Sequence, residues 1–237
     1  MPATTNKQQV LTTGLAALRK KFPPPEVPEP RPVLEEVLYA IVREGSTPEE
    51  ADAAFARIKN AFFDWNEIRV SSVPEVGDVL GDLPDAGAKA KRLVEFLQEH
   101  FERTYSFTLE DLEKKGLKQS AKQLARYKDK GVTDFVVAFV TQRALGGHAV
   151  PLDEPTIRVL SRLGVIEGEI DDLEAARASL EHYVPKAKGT EFTDVFAMHA
   201  ATLCTPETPD CPHCPLKADC PTGQEILAKP KAKPKSR

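Results

Sequence analysis

Cys204-Thr-Pro-Glu-Thr-Pro-Asp-Cys211-Pro-His-Cys214-Pro-Leu-Lys-Ala-Asp-Cys220 holds all four cysteines of the chain, spaced C-x6-C-x2-C-x5-C. Four thiolates can face one soft metal centre only if the segments between them turn back repeatedly. Pro206, Pro209, Pro212, Pro215 and Pro221 supply those turns. Structural cysteines scattered through a fold do not cluster in this way. Disulfides fit poorly, because nothing in the sequence directs the chain to an oxidising compartment. The arithmetic therefore reads as metal ligation. On spacing alone zinc and an iron–sulfur cluster both stay open, since each accepts four cysteines.

Around that loop lies a chain of 237 residues, 41% apolar, with Trp65 its one tryptophan. That is enough to bury a sizeable core in one domain or two small ones. No apolar run approaches the length of a membrane span, so no membrane partner is expected. Met1-Pro-Ala-Thr-Thr lacks a basic region followed by an apolar one, which argues against secretion and for the cytoplasm. The formal net charge is −4. Any nucleic-acid affinity must come from a local basic face rather than the global field.

The apolar periodicity is helical almost throughout. One amphipathic helix is expected over residues 7–22, followed by a proline-rich linker from Phe22 to Pro32. A buried helix follows over Val33–Arg43. Thr47-Pro-Glu-Glu50 is a capping box with proline at the first helical position. Asp64–Val70 reads as a connector, and Ala86–Glu102 as a basic, then apolar helix. Thr108–Lys114 and Ser120–Tyr127 read as two short helices. The apolar run Phe135–Leu145 reads as a buried helix, and further helices are expected from Pro155, over Asp172–Tyr183 and over Glu191–Leu203. The Lys/Pro-rich end of the chain reads as disordered by composition.

Two further segments carry chemistry-bearing residues. Leu152-Asp153-Glu-Pro-Thr-Ile-Arg158-Val159 places a carboxylate immediately before a helix, where it can serve as an N-cap. Asp129-Lys130-Gly131-Val132-Thr133 is a glycine turn between helices. Together with the cysteine loop, these segments resemble the endonuclease III-like DNA glycosylases. That resemblance implies an all-α, two-lobed fold. A six-helix barrel with a degenerate helix–hairpin–helix would span residues 33–147. Residues 1–32 and 148–222 would form a cluster lobe, and 223–237 a disordered basic tail. It also implies a [4Fe-4S] cluster on Cys204, Cys211, Cys214 and Cys220, double-stranded DNA as partner, and a monomer.

The resemblance assigns roles residue by residue. Asp153 falls at the catalytic aspartate, which stabilises an oxocarbenium-like transition state and directs water. Lys130, Gly131, Val132 and Thr133 fall in the phosphate-binding hairpin, where backbone N–H groups approach DNA. The leading leucine, the proline and the second glycine of the family turn are missing. Glu44 stands where many members carry a glutamine that wedges into the gap left by an extrahelical base. Phe135 occupies the position of the Schiff-base lysine, so a β-lyase step is not expected and monofunctional hydrolysis is. Lys89, Lys91, Arg92 and Lys217 are candidate phosphate contacts. The rival readings are a non-catalytic DNA-binding relative and a zinc-holding interaction protein.

Overall fold

The computed structural model describes residues 7–24, 30–167 and 173–228. Twelve α-helices run in chain order: α1 Lys7–Lys21, α2 Val33–Arg43, α3 Pro48–Ala61, α4 Trp65–Val70, α5 Val73–Leu80, α6 Ala86–Thr104, α7 Leu117–Leu124, α8 Asp134–Arg143, α9 Glu154–Arg162, α10 Leu173–Tyr183, α11 Gly189–Thr202 and α12 Pro221–Ala228. Among the described residues there is no strand.

Helix α2 is the hub of the first core. Every residue in it except Glu35 is buried, so it has no solvent face and packs on α3, α6 and α8. Its one buried acid, Glu36, is pushed above the ordinary carboxylate range by burial, with the Arg31 guanidinium 3.5 Å away opposing that shift. Arg31 also lies 3.8 Å over the Tyr39 ring. The helix stops at Glu44 because Gly45 turns the chain with φ +72°, a conformation that favours glycine. The expected capping box then opens α3. Thr47 Oγ1 accepts from Glu50 N at 3.2 Å, and Glu50 Oε2 accepts from Thr47 N at 2.8 Å.

Two apolar clusters form. One joins α2–α8, from Val33 to Val140. The other joins Val10, Leu11 and Leu18 of α1 to residues between Val150 and Leu216, so the first helix packs with the last third of the chain. The two meet at a buried charge cluster. Arg43, 1% exposed, ends α2 and reaches Asp194 on α11 at 3.4 Å; Arg143 at the end of α8 reaches the other carboxylate oxygen of Asp194 at 2.7 Å.

Three segments depart from expectation. Asp64–Val70 is not a plain connector: Asp64 accepts from Glu67 N at 2.9 Å and caps the short helix α4. Thr108–Lys114 forms only a single 3₁₀ turn, Glu110–Leu112. The tail expected from residue 223 begins instead as helix α12, with Pro221 in its first turn. Residues 25–29 of the proline-rich linker and residues 229–237 of the Lys/Pro-rich tail lie outside the described residues.

Candidate active site and cysteine loop

An open cleft of about 590 Å³ runs between the α2–α3 turn, the start of α6 and the start of α9, and Asp153 lies in its wall. Asp153 is the N-cap of α9, its Oδ1 accepting from Thr156 N at 3.0 Å. Its Oδ2 accepts from Gly45 N at 3.0 Å, across 108 residues of sequence. The carboxylate is thus a helix cap and also the anchor of the turn opposite. Each oxygen carries one backbone N–H and keeps a second lone-pair direction for another donor.

The same turn holds a buried amine. Lys89 is 3% exposed and donates to Ser46 Oγ at 2.6 Å. Burial brings its amine down to about 8, helped by Arg92 and Arg43 and opposed by Asp85 and Glu44. The expectation that Lys89 meets phosphate is therefore not what the fold provides. Lys91, two residues on, is the exposed lysine of this helix and reaches Glu95 at 3.8 Å.

Glu44 does not project freely from the turn. Its Oε2 accepts from Arg92 at 2.6 Å and from Thr133 Oγ1 at 2.9 Å. Arg92 Nε in turn donates to Gly131 O at 2.9 Å. One ion pair thus ties the end of α2 to the Gly131 turn. Gly131 has φ +93°, and a Cβ there would stand 2.7 Å from Arg92 O, so both the conformation and the space demand glycine. Val132 is fully buried, and Thr133 caps α8 by accepting from Val136 N at 3.3 Å. Lys130 is exposed. Lys128 pairs with Asp134 at 3.1 Å. Phe135 turns inward: it is 3% exposed and stacks on Phe139 with ring centroids 5.6 Å apart.

The four cysteines are free thiols that line one pocket together with His199 and Leu216. Three of the sulfurs accept hydrogen bonds: Cys204 from Arg162 at 3.3 Å, Cys214 from Leu216 N at 3.4 Å and Cys220 from Gly223 N at 3.3 Å. Burial raises the thiols of Cys211, Cys214 and Cys220, with further upward pushes from the neighbouring cysteines. Among the described residues no three His, Cys, Asp or Glu side chains group so as to hold a metal ion. His199 is buried, its Nε2 3.9 Å from Cys214 Sγ, and burial lowers it to about 4. His213 faces solvent beside Asp210, 2.8 Å away.

Comparison of this architecture with solved structures decides the fold. A non-covalent endonuclease III–DNA complex superposes with a TM-score of 0.69 at 18% identity, covering 94% of this chain and 99% of the other. The chain has the endonuclease III fold. A thermostable thymine-DNA glycosylase matches with a TM-score of 0.62 at 19% identity, over 94% and 99% of the two chains. The H. pylori 3-methyladenine DNA glycosylase bound to 1,N6-ethenoadenine matches at 0.52 and 18%, over 81% and 92%. No protein-family model and no curated protein matches the sequence.

Within this endonuclease III fold, Asp153, Glu44 and the Gly131 turn come together around the α2–α3 turn and the start of α6, while Phe135 packs into the core. Sequence reasoning missed the roles of Arg92, which links Glu44 to the hairpin, and of the buried Lys89–Ser46 pair. A signal for the latter existed: Lys89 sits between Ala88 and Ala90, small neighbours on a helix whose other basic residues are further on.

Proposed function

We propose that this chain is a base-excision DNA glycosylase that binds double-stranded DNA as a monomer in the cytoplasm, flips a damaged or mispaired base and hydrolyses its N-glycosidic bond. The observation that carries this is Asp153, held from both sides at the wall of an open cleft by Thr156 N and Gly45 N. Breaking an N-glycosidic bond builds positive charge on the sugar. A carboxylate fixed beside C1′ stabilises that charge, and its open lone pairs receive a proton from the attacking water. A flipped nucleotide is what brings C1′ out of the helix to such a group.

Termination of the reaction follows from Phe135. A lyase needs an amine to attack C1′, and the hairpin offers a ring buried on Phe139. The reading is therefore monofunctional: an intact abasic site, with strand breakage only after alkali. Exposed Lys130 and the N–H groups that open α8 beside it would meet phosphate, together with Lys91.

Cys204, Cys211, Cys214 and Cys220 would hold a [4Fe-4S] cluster. The sulfurs fit such a group: they are free, they share one pocket, and N–H donors already face three of them. Zinc asks four sulfurs to converge on one ion, whereas a cubane gives each cysteine its own iron. When bound, the cluster would keep the thiols as thiolates and fix the loop from Cys204 to Cys220 against α9 and α12. The anaerobically purified protein is expected to be brown, with about four iron and four sulfide per chain, as the cluster formula requires. One zinc per colourless chain would overturn the assignment.

The second reading, a non-catalytic DNA-binding relative, draws on the Arg92–Glu44 pair, which already engages the side chain at the wedge position. The deciding experiment is a panel of duplexes, each with one defined lesion, assayed before and after alkali and in the presence of borohydride. Base loss with breakage only after alkali supports the glycosylase. Tight binding without base loss on any duplex supports the relative. A borohydride-trapped protein–DNA adduct refutes the monofunctional reading.

A further inference from the structure

A glycosylase has two charges to manage: the cation on the sugar and the electron pair that leaves with the base. Asp153 faces the first. For the second, the cleft contains a donor that the function as read so far leaves idle. Lys89 is a buried amine that donates to a neutral hydroxyl, Ser46 Oγ at 2.6 Å. Among the described residues no ion pair of Lys89 within 4.0 Å is found. An ammonium buried against a hydroxyl is costly, and such groups concentrate where chemistry uses them. It also sits in register with the other half of the reaction: Gly45 binds Asp153 and the next residue, Ser46, binds Lys89. Both side chains line the same cleft.

We propose that Lys89 is the acid that protonates the departing base. The inference rests on the glycosylase reading and adds the leaving-group half of it. As the C1′–N bond breaks, its electron pair passes to the base, and Lys89 Nζ delivers a proton to a ring nitrogen or carbonyl oxygen of that base. Water adds to C1′ and gives its proton to Asp153. The amine then recovers a proton from solvent and Asp153 releases to solvent the one it took, so the sum is one water added across the glycosidic bond.

The electrostatic setting suits the task. Arg92 along α6 and Arg43 at the end of α2 press on the amine as like charges, while Asp85 and Glu44 oppose them. Glu50, Asp153, Glu154 and Arg158 line the same cleft. The balance leaves the amine near 8, which is close to the operating pH and far below an ordinary lysine. Below that value the ammonium is present and can donate; above it the donor is lost. Base release is therefore expected to fall as pH rises through about 8.

The test uses single-turnover base release by the full chain on whichever lesion duplex the panel identifies, and on its ring-fluorinated analogue, whose base leaves more readily as an anion. Lys89→Met keeps the length of the side chain and replaces a buried charge with an apolar group, a change that cores tolerate. It is expected to slow release ~10²-fold or more, to remove the alkaline limb, and to cost less on the fluorinated base. Ser46→Ala retains the amine but removes the hydroxyl it donates to, and is expected to shift the alkaline limb; a limb unmoved in Ser46→Ala counts against Lys89 as its source. An unchanged rate in Lys89→Met, or equal slowing on both bases with the alkaline limb retained, overturns the proposal and leaves the glycosylase reading standing. A borohydride adduct in the wild type that Lys89→Met abolishes also overturns it, since Lys89 would then be a nucleophile. If the wild type releases no base at all and Asp153→Asn binds as well as the wild type, the glycosylase reading fails and takes this proposal with it.

Discussion

Asp153→Asn is expected to slow base release ~10²–10⁴-fold, the worth of a positioned acid–base group, while duplex binding stays within a few-fold. In barrier terms that is about 3–5 kcal/mol. The size follows from what the substitution removes. An amide keeps one oxygen, which can still accept from Thr156 N and cap α9 as the carboxylate does at 3.0 Å. The other atom becomes an NH2 group facing Gly45 N–H, where Asp153 Oδ2 now accepts at 3.0 Å. Two donors then oppose each other across the α2–α3 turn. That mismatch costs on the order of 1 kcal/mol of stability, too little to unfold the chain and easily read in a melting curve. The charge itself is lost entirely, and with it both the stabilisation of the sugar cation and the acceptor for the water proton. Binding rests on phosphate contacts elsewhere and should survive. If Asp153→Asn instead retains a wild-type single-turnover rate, Asp153 is a cap and nothing more.

How much of this could be read from the sequence differs between the local and the tertiary. Thr47-Pro-Glu-Glu50 specified its own hydrogen bonds, because a capping box closes within four residues. The apolar pattern of Val33–Arg43 named a buried helix for the same reason. Asp64–Val70 hid its helix behind polar residues, since the cap on Asp64, not an apolar stripe, is what starts it. Helix α12 was concealed by the Lys/Pro composition that follows it. Asp153 was legible through its motif, and its cap geometry through the proline two residues on. Its second partner was not, because Gly45 lies 108 residues away. Glu44 was legible as the position of the family's wedging glutamine, yet its setting depends on Arg92 and Thr133, 48 and 89 residues distant. Burial of Lys89 likewise needs α6 laid against the α2–α3 turn. Charge pairing across elements is a property of the packed fold, and a helical repeat carries no trace of it.

The buried triad shows the same dependence and gives the largest expected change in stability. Asp194→Ala is expected to cost about 3–5 kcal/mol, the usual penalty for breaking a buried ion pair by removing one partner. Asp194 is 6% exposed and accepts from Arg43 on one oxygen and Arg143 on the other, at 3.4 and 2.7 Å. Without it, two buried guanidiniums lose the carboxylate they share. The Nε atoms of both arginines already lack an acceptor among the described residues. Arg43 is fully enclosed and carries most of the penalty; Arg143, whose side chain is 14% exposed, can turn partly to water. Arg43 also donates to Ser46 O, so the same loss loosens the turn that presents Gly45 N–H to Asp153 and Ser46 Oγ to Lys89. A denaturant titration of the full chain should show the midpoint fall with the slope unchanged. Replacing Arg43 by Met as well should recover part of the loss, since the second change removes the stranded charge. Were Asp194→Ala to lose less than about 1 kcal/mol, the value of an exposed pair, the triad would be a bystander at the junction of the two cores. A full loss with no recovery in the double variant would mean that Arg43 holds the turn through Ser46 O independently of Asp194.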